Sequence, residues 1–190
     1  QSVPRAKRRA FWAWAFGAAP KELWARGSER EAAKLLKSAI AAGGAPSDTA
    51  EGSIPLVGAG PGARDLLTMR AVSRLQEADV IFYDRLVDPD VLELARRDAE
   101  RVFVGKDVGA NQWPQDRICG MIVAEALKGR RVVRLKSGDP VIFGRATEEL
   151  EAAKAAGVAV EIVPGITAAA AAGARLGQSL TERGVDAAVV

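Results

Sequence analysis

The chain has 190 residues, enough for one sizeable core with a smaller appendage, and its 48% hydrophobic, 27% charged and 5% aromatic content is ordinary for a water-soluble globular protein. It has no histidine, which excludes histidine general bases, nucleophile activation and metal ligands, and its one cysteine, Cys119, excludes an internal disulfide or a thiolate cluster and points to a reducing, cytoplasmic setting. The formal net charge of +3 is uneven: residues 1–50 carry 9 basic and 4 acidic side chains, so the basicity belongs to the N-terminal segment. No apolar run reaches the length of about 18 residues that a membrane span needs, and nothing marks a nucleic-acid site.

Taken in chain order, residues 1–45 predict two or three helices. Pro4 and Pro20 suit first turns, and Ser28 with Glu31 forms a capping-box pattern ahead of a helix over 29–42. The Trp/Phe-rich stretch R-R-A-F-W-A-W-A-F reads as an amphipathic helix that packs on something. Residues 46–53 read as a linker, with the domain boundary there. Beyond it the pattern alternates strands at 54–58, 79–83, 100–104, 131–135 and 158–163 with helices near 65–77, 89–96, 115–128, 146–156 and 166–175. Such alternation predicts an α/β fold, a five-stranded, mainly parallel sheet with flanking helices and right-handed crossovers. Cys119, on the third of these helices, reads as an inert, half-buried residue.

Ligands of open α/β sheets collect at the carboxyl ends of the strands, and each unusual cluster falls at such an end. After the first strand, V57-G58-A59-G60-P61-G62-A63 fits the spacing of a dinucleotide fingerprint, with Asp84 at the distance of a ribose-binding acid. Pro61 argues against that reading, because it stiffens the loop and removes an N–H that a pyrophosphate would use. After the second strand, Asp84 beside Arg85 reads as a general base, a ribose ligand or half of a surface ion pair. The third strand ends in V104-G105-K106, which presents Lys106 between glycines or places it in a solvated turn. The fourth ends in K136-S137-G138-D139-P140-V141-I142-F143-G144-R145, a charged, glycine-rich functional loop. The fifth runs through P164-G165-I166-T167-A168 into small residues that let backbone approach a bulky ligand.

In this order and spacing, VGAGPG, YDRLV, FVGK, VVRLKSGDPVIFGR and VPGITA resemble the uroporphyrinogen-III C-methyltransferases, within the S-adenosylmethionine-dependent tetrapyrrole methylases. The resemblance covers residues 54 to about 183. Residues 1–45 are similar to the end of the dimerisation domain of siroheme synthases, in which a methylase follows a dehydrogenase/ferrochelatase domain. The resemblance implies an S-adenosylmethionine site at Pro61, Ser137, Gly138, Asp139, Ile142, Thr167 and Ala168, with S-adenosylhomocysteine as the product. It implies Asp84 as proton acceptor, Lys106 as proton donor, and Arg85 and Arg145 as partners of a carboxylate-rich tetrapyrrole. It also implies a homodimer, and it makes residues 54–190 the first lobe of a longer enzyme whose second lobe is absent here. Two other readings stay open: a nicotinamide-dependent oxidoreductase built on the glycine loop, and a methylase of a later corrin intermediate.

Overall fold

The computed structural model describes residues 3–4, 7–17, 19–45, 52–105 and 113–184 and divides into two compact units, residues 1–49 and 50–190. The first unit contains α1 (Arg8–Gly17), α2 (Ala19–Ala25) and α3 (Glu29–Ala41). Its core is small: Val3, Phe11 and Ala39 are buried, with Trp14, Leu36 and Ile40 packed against them. Pro20 sits in the first turn of α2, where its missing N–H costs no hydrogen bond. Pro4 instead precedes α1 and only accepts from the Lys7 N–H. Ser28 is the N-cap of α3, but its side chain makes no capping bond; its carbonyl receives the Glu31 and Ala32 N–H groups. The expected capping box is therefore not formed.

The second unit is the α/β fold. Strands β1 (Ser53–Gly58), β2 (Val80–Tyr83), β3 (Glu100–Phe103), β4 (Val132–Lys136) and β5 (Ala159–Val163) form one sheet in the order β3-β2-β4-β1-β5. Every strand pair is parallel. β1 begins inside the expected linker, because Ser53 pairs with Ala159; residues 46–51 lie outside the described residues. The expected helix at 65–77 is a 3-10 turn (Arg64–Leu66) followed by α4 (Met69–Glu77), which starts only where the Thr68 hydroxyl accepts from the Ala71 N–H at 3.1 Å. The expected helix at 89–96 shortens to α5 (Pro89–Leu92), since Leu94 and Ala95 close tighter turns onto Val91 and Leu92. α6 (Gln115–Leu127), α7 (Ala146–Ala155) and α8 (Ala168–Leu176) stand close to their expected places.

Alternation along the strands sends side chains to two cores. Val57, Ile81, Val133, Leu135 and Val163 pack with Ala71 and Leu75 of α4 and with Val91 and Leu92 of α5. Leu56, Val80, Phe82 and Val132 pack with Ile118 and Ile122 of α6 and with Ala153 of α7. Each fully buried aliphatic side chain contributes about 1.5–3 kcal/mol. At the edge of the sheet Arg74 of α4 donates to Glu161 of β5 at 2.5 Å, which holds the Glu161 carboxyl below its ordinary range.

This two-sided packing positions the site. The chain leaves β1 and β2 toward α4 and α5, on one face, but leaves β4 toward α7, on the other. β4 lies between β1 and β2, so the loops diverge there and open a crevice at the carboxyl ends of these strands.

Candidate active site

The crevice is built from glycines whose function is to let three loops touch. A Cβ on Gly58 would lie 2.6 Å from the Gly165 Cα and 2.7 Å from the Gly138 carbonyl oxygen. One on Gly165 would lie 2.1 Å from that same oxygen. Gly138 adopts φ +65°, which favours glycine. Gly60 and Gly138 exchange backbone hydrogen bonds of 3.2 and 2.8 Å. The Gly60 N–H is thus committed to a neighbouring loop, and the first α-helix after it begins only at Met69. The Ala59 N–H is likewise spent on the Lys136 carbonyl, so these two amides are not offered to a pyrophosphate, which argues against the dinucleotide reading.

Above these contacts lies a cleft of about 640 Å³, within the size range of small-molecule sites. Of the residues singled out from sequence, Asp84, Ser137, Gly138, Asp139, Ile142, Arg145, Thr167 and Ala168 line it together. Pro61 and Arg85 are not among the lining residues; Pro61 is half-buried and Arg85 is exposed. Lys106 lies outside the described residues.

Asp139 is the staple of the cleft. Its Oδ1 accepts the Val141 N–H at 2.9 Å and its Oδ2 accepts the Gly165 N–H at 3.0 Å, tying the β4 loop to the β5 loop. Thr167 caps α8 by accepting from the Ala170 N–H at 3.1 Å, which fixes the far wall. The loop between them is tightly wound: Phe143 and Arg145 have φ of +53° and +52°, and a Cβ on Gly144 would meet the Pro140 oxygen at 2.1 Å. Left-handed residues other than glycine cost on the order of 1–3 kcal/mol each. Arg145, on the rim, pairs bidentately with Glu148 at 2.7 and 2.8 Å.

Beneath the cleft lies a cluster of buried charge that sequence reading missed. Arg134, Lys136 and Glu149 are 5%, 5% and 3% exposed. Arg134 Nε donates to Glu149 Oε1 at 3.0 Å, and its Nη2 reaches Asp84 Oδ2 at 3.4 Å. Lys136 Nζ donates to the Gly144 carbonyl and lies 2.9 Å from Glu149 Oε2. That second contact is Coulombic, since Oε2 forms no well-directed hydrogen bond. Burial pushes the Lys136 amine below its ordinary range, as does neighbouring Arg134, with Glu149 pulling it back. Cys119, beside this cluster, is more buried than expected, and burial together with Glu149 pushes its thiol up; it fits an inert role. The signal in the sequence was R134-L135-K136: two cations on one face of a strand that is otherwise apolar.

The model of the Tetrapyrrole (Corrin/Porphyrin) Methylases matches residues 53–190, the whole of the α/β unit from its first strand. The chain belongs to this family. A siroheme synthase of Methylococcus capsulatus is 47% identical over 96% of the chain. The chain spans 39% of the length of that relative. A crystal structure of uroporphyrin-III-C-methyltransferase from Thermus thermophilus superposes with a TM-score of 0.63 and 45% identity, covering 70% of this chain and 56% of that one. The same Thermus enzyme complexed with S-adenosylhomocysteine is 46% identical, with a TM-score of 0.59, over 70% of this chain and 55% of its own. The methylase fold thus coincides with the unit that carries the cleft.

Proposed function

We propose that this chain binds S-adenosylmethionine in the cleft and takes part in the C-methylation of uroporphyrinogen III to precorrin-2, within a siroheme-forming protein of the cytoplasm. The observation that carries the reading is the convergence of Asp84, Ser137–Asp139, Ile142 and Thr167–Ala168 on one crevice at the point where the strand connections diverge. The relatives that share this fold at 45–47% identity are described as methylases of this substrate class or as siroheme synthases.

The lining suits the cofactor. Ser137, Gly138, Thr167, Ala168 and Ala169 are small, so the backbone edges of two loops are open to a ligand, and Ile142 supplies apolar contact. Bound there, S-adenosylmethionine supplies an electrophilic methyl group on a sulfonium. The attack of a pyrrole carbon on that methyl consumes charge, so alignment and exclusion of water govern its rate more than a strong catalyst does. Ile142 and Phe143 give the cleft apolar lining. After transfer the ring must lose a proton, and Asp84 is the carboxylate in the cleft with one oxygen held by the Leu86 N–H at 3.1 Å. Lys106 is assigned the complementary proton donation by the family resemblance alone. Arg85 and Arg145 are the cations offered to the substrate carboxylates, Arg145 by exchanging its Glu148 partner.

Isothermal titration calorimetry tests the cofactor reading. S-adenosylhomocysteine should bind and NADH should not; tight NADH binding without S-adenosylhomocysteine binding would overturn the proposal. Asp139→Ala releases both loops from their staple, and the expected loss of S-adenosylhomocysteine affinity is about tenfold, near 1.4 kcal/mol. We further assign residues 1–45 to homodimer formation, supported by the exposed faces of Trp12, Phe16 and Trp24.

A further inference from the structure

The buried cluster under the cleft is costly to build. A charge removed from water costs several kcal/mol unless it is paired and hydrogen-bonded, and β4 carries two such cations one residue apart. Glu149 can balance one of them. The second finds its counter-charge in Asp84, so the group of four is neutral only when the cleft carboxylate is included. The orientation of Asp84 is thereby written into the core. Its Oδ1 is held by the Leu86 N–H at 3.1 Å and its Oδ2 by Arg134 at 3.4 Å.

Arg134 is in turn unable to move. Nε is fixed to Glu149 at 3.0 Å, and Nη1 donates to the carbonyls of Leu135 at 2.9 Å and Phe82 at 3.4 Å. Each nitrogen of the guanidinium already has a protein partner, and its side chain is 6% exposed. It lines the cleft floor with four of its five N–H groups already committed to protein partners. We propose that Arg134 is the positioning residue of methyl transfer: locked by Glu149 and two strand carbonyls, it orients the Asp84 carboxylate at the cleft. Arg134 thus acts through Asp84, and this assignment rests on Asp84 being the proton acceptor proposed above.

The test compares the unmodified chain with Arg134→Gln and Arg134→Lys, using uroporphyrinogen III and S-adenosylmethionine. Arg134→Gln should lower kcat at least about tenfold while KM for either substrate changes less than about twofold. Arg134→Lys should recover part of the loss, since one ammonium can keep the charge but not span Glu149 and Asp84 together. S-adenosylhomocysteine affinity should be equal in all three proteins. An increase in KM for the tetrapyrrole at constant kcat would make Arg134 a substrate ligand and overturn the proposal, as would unchanged kinetics. A second readout needs no turnover: in chain carrying ¹³C-labelled aspartate, the Asp84 carboxylate resonance should move in Arg134→Gln and stay near its position in Arg134→Lys. If the unmodified chain transfers no methyl group, the proposed function falls, and this resonance still decides the positioning role; an unmoved signal in Arg134→Gln overturns it.

Discussion

At the scale of single residues, Glu149 is the hinge of the site although it is not among the residues lining the cleft. It is the carboxylate between Arg134 and Lys136, and all three are almost fully buried. Removing Glu149 from the buried cluster leaves Asp84 as the one carboxylate to balance both Arg134 and Lys136 in low dielectric. Glu149→Gln should therefore destabilise the chain by about 3 kcal/mol. Lys136→Met behaves differently. It deletes a charge that burial already disfavours and leaves Glu149 paired with Arg134, so the cost should stay near the value of the lost hydrogen bond to Gly144, about 1 kcal/mol. Urea unfolding of the two variants checks the ordering; equal losses would show that the cluster is not balanced in this way. Of the residues assigned from sequence, those whose chemistry is local were legible: Asp84 and Asp139 stand at strand ends, next to turn-forming residues. Glu149 was not legible, because a glutamate in the first turn of a charged helix looks solvated until the sheet is placed against it.

At the scale of elements, the glycine loops carry the lesson. Spacing alone suggested a phosphate cradle at Gly58–Gly62; packing shows Gly58 and Gly165 meeting over the Gly138 oxygen. Gly165→Ala would force a Cβ to 2.1 Å from that oxygen, and backbone cannot yield there without opening the cleft. A loss of about 1–3 kcal/mol is expected. Gly120→Ala, in the middle of α6 with nothing within 4 Å of the new Cβ, should stabilise by about 0.5–1 kcal/mol through helix propensity. Paired thermal unfolding curves check both signs. The strands were legible to within a residue or two, since β-branched runs such as Val132-Val133 leave little choice. The helix starts were less so. The chain between Gly60 and Met69 was read as helical from about residue 65, and only the Thr68 hydroxyl, bound to the Ala71 N–H, marks where the α-helix begins.

At the scale of the whole molecule, the two units have different needs. The α/β unit buries both faces of its sheet under helices. The helical unit has a small core and leaves Trp12, Phe16 and Trp24 53%, 69% and 59% exposed, with Trp12 and Phe16 stacked at 5.5 Å on one side of α1. Aromatic surface of this extent on two short helices, α1 and α2, is the feature that a partner copy would cover. Sedimentation of the chain with and without residues 1–45 should show a dimer that reverts to monomer on truncation; monomers in both cases would rule the assignment out. Among the described residues no helix is long and apolar enough to cross a membrane.

The sequence by itself determined the order of strands and helices, the parallel sheet and the family, because these follow from periodicity and from motifs at strand ends, which are local properties of the chain. It also placed Asp84, the Ser137–Asp139 loop and Thr167 at the same sheet edge. Only the tertiary structure decided what the glycines are for and which charges lie beneath the cleft. Both depend on how closely β1, β4 and β5 approach and on which helix covers Arg134 and Lys136. Close approach and burial are relations between segments distant in sequence, and no segment carries them alone.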